Sequence, residues 1–109
     1  MNPPSSKVSD VNIYKMLSDE SRLKIIKLLS QREMDVSTLI DNLAINQSLV
    51  SHKLRELREN GLVISYRSGK NIIYKISDDL LKNVVKTAED AGSKIETICR
   101  CVECDDEKI

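Results

Sequence analysis

Three thiols fall within six residues, at Cys99, Cys101 and Cys104. Thiolates are soft ligands, so the cluster points to a thiophilic ion. Arsenite is the first expectation, because trivalent arsenic takes three sulfurs in a pyramid; cadmium, lead, mercury and copper(I) follow. Zinc suits the cluster less well, since it usually seeks four ligands. The same spacing is open to a dithiol redox switch, or to tail thiols with no sensing role. An odd number of cysteines crowded into the last eleven residues makes a poor disulfide framework and suits a reducing compartment, so a cytoplasmic protein is expected.

A second group of residues could hold a polyanion. The whole chain balances 17 basic against 17 acidic residues, but Asn46 to Lys75 carries Lys53, Arg55, Arg58, Arg67, Lys70 and Lys75 against only Glu56 and Glu59. Residues 99–109 are net acidic. A basic middle beside an acidic tail suggests a polyanionic partner for the middle alone, although on charge alone solvated helix faces are the better explanation. Enzyme chemistry finds no foothold: His52 is the single histidine, and there is neither a glycine-rich phosphate loop nor a nucleophile with an evident base.

These groups need elements to position them. A chain of 109 residues makes one domain, and a composition without Phe or Trp dictates an aliphatic core. No apolar run exceeds three residues, so no transmembrane helix is expected. The leader Met1-Asn2-Pro3-Pro4-Ser5-Ser6 lacks the basic flank and apolar segment of a secretory signal. Val8, Val11, Tyr14 and Leu17 recur at helical spacing and predict a first amphipathic helix. Ser18-Asp19-Glu20 starts a second, with Leu23, Ile25, Ile26, Leu28 and Leu29 as its apolar set. A short third helix follows a cap at Asp35 or Ser37, and Val36, Leu39, Ile40 and Leu43 face inward. The turn Ala44-Ile45-Asn46 leads to a fourth helix with Val50, Leu54 and Leu57 inside and Gly61 ending it. Residues 62–67 and 72–76 are β-rich and flank Ser68-Gly69-Lys70-Asn71, a hairpin. Ser77-Asp78-Asp79 caps a last helix bearing Leu80, Leu81, Val84, Val85, Ala88, Ala91, Ile95 and Ile98. That stripe exceeds what the domain can cover, and periodicity fades beyond Ile98.

The expected fold is thus mainly α with a small β-hairpin: a winged helix-turn-helix over residues 1–98, followed by a cysteine-containing acidic tail over 99–109. In such a fold the second helix of the pair enters the major groove. Its outward side would present Gln47, Ser48, Ser51, His52 and Arg55 to base edges and phosphates, flanked by Lys53. Arg67 and Lys70 on the hairpin would neutralise phosphate. A winged helix serving only as a protein-interaction module is the other reading, disfavoured by the polar outer face.

The runs Leu17-Ser18-Asp19-Glu20-Ser21-Arg22-Leu23-Lys24-Ile25-Ile26 and Gln47-Ser48-Leu49-Val50-Ser51-His52-Lys53-Leu54-Arg55-Glu56-Leu57-Arg58-Glu59-Asn60-Gly61-Leu62-Val63 resemble the ArsR (ArsR/SmtB) type of winged-helix repressor over roughly residues 8–98. The resemblance implies a homodimer built from the first and last helices, holding double-stranded operator DNA until an inducer releases it. It also implies where metal ligands would lie. The positions of a Cys-Val-Cys pair at the third helix are here Asp35-Val36-Ser37. Those of an interhelical zinc site on the last helix are Asp78, Leu80, Ala91 and Lys94, of which only the Asp could ligate. Both usual sites are therefore expected to be absent. Some members place cysteines near the end of the last helix, which leaves Cys99, Cys101 and Cys104.

Overall fold

The computed structural model of the protein describes residues 9–101, with side chains described through residue 99. Its elements run α1 (Asp10–Leu17), α2 (Glu20–Gln31), β1 (Met34–Asp35), α3 (Val36–Leu43), α4 (Gln47–Glu59), β2 (Val63–Ser68), β3 (Asn71–Ile76) and α5 (Asp79–Cys101). Each of the first four helices starts where a short polar side chain takes up an otherwise unbonded amide. Ser9, Asp19, Asp35 and Asn46 accept from the backbone N–H of Asn12, Arg22, Thr38 and Leu49. Such a cap stabilises a helix by about 1 kcal/mol.

The core is aliphatic, as the composition requires. Ile25, Ile26, Leu39, Val50, Leu54, Leu57 and Val63 are fully buried, joined by Leu29, Met16, Met34, Leu62, Ile76, Leu81 and Val85. The inward stripes of α2, α3 and α4 therefore meet at one center and fix the outward face of α4 by default. Two backbone devices set its direction. Ala44 takes left-handed φ 55°, turning the chain between α3 and α4. At the other end Gly61 (φ 84°) donates to the Arg58 carbonyl and Leu62 to the Leu57 carbonyl, a Schellman ending that returns the chain toward the core.

The structure differs from the sequence expectations at four places. The hairpin turn is two residues rather than four, because Ser68 and Asn71 are paired. Gly69 supplies the positive φ (63°) that such tight turns need. The sheet has three strands in the order β1-β3-β2, since Met34 and Asp35 pair antiparallel with Tyr74 and Ile73. On α1 the inward residues are Met16 with half-buried Ile13 and, as expected, Leu17, whereas Val11 and Tyr14 are 70% and 67% exposed. Val8 lies outside the described residues. Finally, α5 stays helical through Cys101, beyond Ile98, where the apolar periodicity fades. Fading apolar periodicity ends a packing stripe, not a helix; with no Gly or Pro between Ser93 and Cys101, each added residue gains a backbone hydrogen bond.

Among the described residues, no helix is long and apolar enough to cross a membrane.

Candidate nucleic-acid interface

Burial of Val50, Leu54 and Leu57 leaves the opposite side of α4 to solvent. Gln47, Ser48, Ser51, His52 and Arg55 are all exposed there, and the steps from 48 to 51 or 52 and on to 55 keep them in one stripe. These side chains combine hydroxyl, amide, imidazole and guanidinium groups, a set matched to base edges and phosphate oxygens. On the wing, Arg67 lies opposite Ile72 in the ladder, and Lys70 stands in the turn; both are exposed. Arg58 is exposed one turn beyond Arg55.

Lys53 is placed differently. Its side chain is 17% exposed, and Nζ lies 3.6 Å from Asp19 Oδ1 and 3.7 Å from Glu56 Oε1. It therefore belongs to an ion network behind the outward face. His52 Nε2 approaches the same Glu56 carboxylate at 3.4 Å while remaining more than half exposed.

The center of that network is Arg22, a residue with no role in the expected site. Nη1 meets Glu56 Oε1 at 2.8 Å, and Nε donates to the Met16 carbonyl at 2.8 Å. A sequence signal did exist: a cation in the first turn of a helix opposes the helix dipole and needs a compensating partner. Burial pushes the Glu56 carboxyl up, but the Arg22 hydrogen bond and the charges of Lys53, Arg22 and His52 outweigh it and hold the group below the usual range. Asp19 is also lowered: the Arg22 backbone amide is the largest cause, burial opposes it, and the charges of Lys53 and Arg22 add to the lowering.

The positions where the resemblance would put metal ligands have other work. Asp35 caps α3, and Asp78 accepts from the Leu80 amide at 2.8 Å. No group of three His, Cys, Asp or Glu side chains able to hold a metal occurs among the described residues. Cys99 is exposed and disulfide-bonded. The side chain of Cys101 and all of Cys104 lie outside the described residues.

Comparison with known proteins agrees with this geometry. Residues 19–65 match the family model described as bacterial regulatory protein, arsR family. The chain is 33% identical over 95 residues to the arsenical resistance operon repressor of Escherichia coli, covering 83% of this chain and 81% of that one. It is 34% identical over 77 residues to a transcriptional repressor SmtB homolog of Synechocystis, covering 71% of this chain and 58% of the relative, whose length it thus spans only in part. Among solved structures, that of M. tuberculosis Rv0081 superposes with a TM-score of 0.75 at 25% identity, covering 80% of this chain and 88% of the other. The buried triad of α4, its polar outer stripe, the three-residue turn and the wing, together with these matches, establish that the chain belongs to the ArsR family of winged helix-turn-helix transcriptional regulators.

Proposed function

We propose that the protein is a repressor that binds double-stranded operator DNA as a homodimer in the cytoplasm, needs no cofactor to do so, and lets go when a thiophilic ion binds Cys99, Cys101 and Cys104. The observation that carries the DNA reading is the outward stripe of α4, where every exposed position from Gln47 to Arg55 offers a hydrogen-bonding group. Homodimer formation is supported by apolar residues left uncovered on α1 and α5, namely Val11, Tyr14, Leu80, Ile95 and Ile98. Ion sensing is supported by three cysteines within six residues of the sequence, which offer three thiolates once the Cys99 disulfide is reduced, and by similarity to repressors named for arsenical resistance.

Side chains two residues apart on a continuous helix lie on different sides of it, so a helical backbone does not by itself bring such a pair of sulfurs to one ion. Gathering three sulfurs on one ion must therefore unwind the last turn. That change at the dimerising helix gives the ion a different affinity for the two states, and a coupling of about 1 to 3 kcal/mol would weaken DNA binding severalfold or more. Arsenite is the first inducer to test, followed by cadmium, lead, mercury and copper(I). Changing all three cysteines to serine in the reduced protein should leave DNA binding intact and abolish release. Continued release of that variant by arsenite or cadmium would place the sensor elsewhere.

A thiol redox response is the second reading, favoured by the disulfide at Cys99. Under it, a mild oxidant releases DNA from the wild type with no ion present, and a thiol reductant restores binding. Wild type that answers to ions only when reduced supports the first reading.

A further inference from the structure

Helix α1 bears none of the residues expected to touch DNA, yet two polar links join it to α4. The first runs through Arg22, whose side chain is only 15% exposed. Its guanidinium donates through Nε to the Met16 carbonyl at 2.8 Å and through Nη2 to the Lys15 carbonyl at 3.4 Å, both in the last turn of α1, and through Nη1 to Glu56 of α4 at 2.8 Å. A guanidinium is a rigid planar fork, so bonds made on several of its edges fix direction as well as distance. The second link runs through Asn60, the C-cap of α4. Asn12 of α1 donates to Asn60 Oδ1 at 3.0 Å, and Asn60 Nδ2 donates to the Glu56 carbonyl at 2.8 Å. Both routes converge on Glu56, one at its carboxylate and one at its backbone.

We propose that Arg22 and Asn60 are positioning residues for DNA recognition: they fix the angle at which α4 presents its outer stripe and tie that angle to the placement of α1. The inference rests on the DNA reading above and adds to it a route by which rearrangement at the α1 face reaches the reading helix. Two simpler roles predict different outcomes. If Arg22 merely neutralised the Glu56 charge, removing that charge would strengthen binding to every DNA. If the link were only structural, stability would fall while discrimination between sequences stayed constant.

The test uses the full-length reduced protein with Arg22→Lys, Glu56→Gln and the double variant. Affinity is measured at one salt concentration for the DNA fragment upstream of the protein's own gene and for a random duplex of equal length, with circular dichroism reporting the fold. Each single variant should lose about three- to tenfold in the ratio of specific to random binding. Glu56→Gln should bind random DNA at least as tightly as wild type, and the double variant should lose no more than the worse single, because one link is broken twice. Unchanged ratios, or losses that add across the double variant, overturn the positioning role. Should Arg22→Lys fail to fold, Asn12→Ala breaks the second link and is held to the same ratio. Wild type with no preference for the fragment overturns the DNA reading itself, and this proposal with it.

Discussion

Arg55 and Lys70 are both exposed cations, but one stands on the rigid outer stripe of α4 and the other at the tip of a hairpin. A forked side chain on a fixed helix can satisfy one base edge and not another, whereas an ammonium on a tip meets phosphate whatever the sequence. Replacing Arg55 or Ser51 with alanine should therefore relax sequence preference, by about 1 to 3 kcal/mol where a bidentate contact is lost. Lys70→Ala should weaken binding to all duplexes alike and lower the salt slope by about one. Titrations against specific and random DNA across a salt series would check both. Asp19 and Glu56 are ionised more readily in the folded protein than in an open chain. Since their folded values are lowered, the stability they contribute is complete above the ordinary carboxylate range and is lost as pH falls through the lowered values. Thermal melts should thus show the wild type losing stability below about pH 4, with a flatter acid profile for Glu56→Gln.

Among the elements, helices α2, α3 and α4 were legible from caps and apolar spacing, since Asp19, Asp35 and Asn46 start them and Val50, Leu54 and Leu57 are buried together. What local pattern could not supply was pairing with distant partners. Met34-Asp35 is too short to declare itself a strand, and it becomes one only because Tyr74 and Ile73 lie beside it. Lys53 likewise looked outward by charge until α2 brought Asp19 to it. The outer stripe of the site was readable because it is the complement of a buried one, while the network behind it joins residues more than 30 positions apart. Asp35 serves two elements, capping α3 through Thr38 and pairing with the wing. Asp35→Ala should lower the melting temperature by a few degrees in a protein that still folds, as a thermal melt followed by circular dichroism would show.

On the scale of the whole molecule, the described chain extends 56 × 39 × 23 Å, elongated by a 23-residue α5. Among the described side chains of that helix only Leu81 and Val85 are buried, and every one from Lys86 onward is exposed. With about 25 cal/mol gained per Å² of apolar surface removed from water, the homodimer proposed above would gain by covering Tyr14, Leu80, Ile95 and Ile98, which the single chain leaves wet. Tyr14→Glu and Ile95→Glu together should yield a folded monomer by sedimentation, with operator affinity reduced at least about tenfold through loss of the second half-site. The hairpin tip stands clear of its surroundings in the chain: a side-chain carbon added at Gly69 would meet nothing within 4 Å. Its other end is held by pairing on both flanks of β3. Wing length is therefore an adjustable dimension of this scaffold. Inserting two residues into each strand preserves the inward and outward alternation and carries the tip about 7 Å farther, so reach toward the DNA backbone could change across descendants of this chain while the helices that fold and read stay as they are.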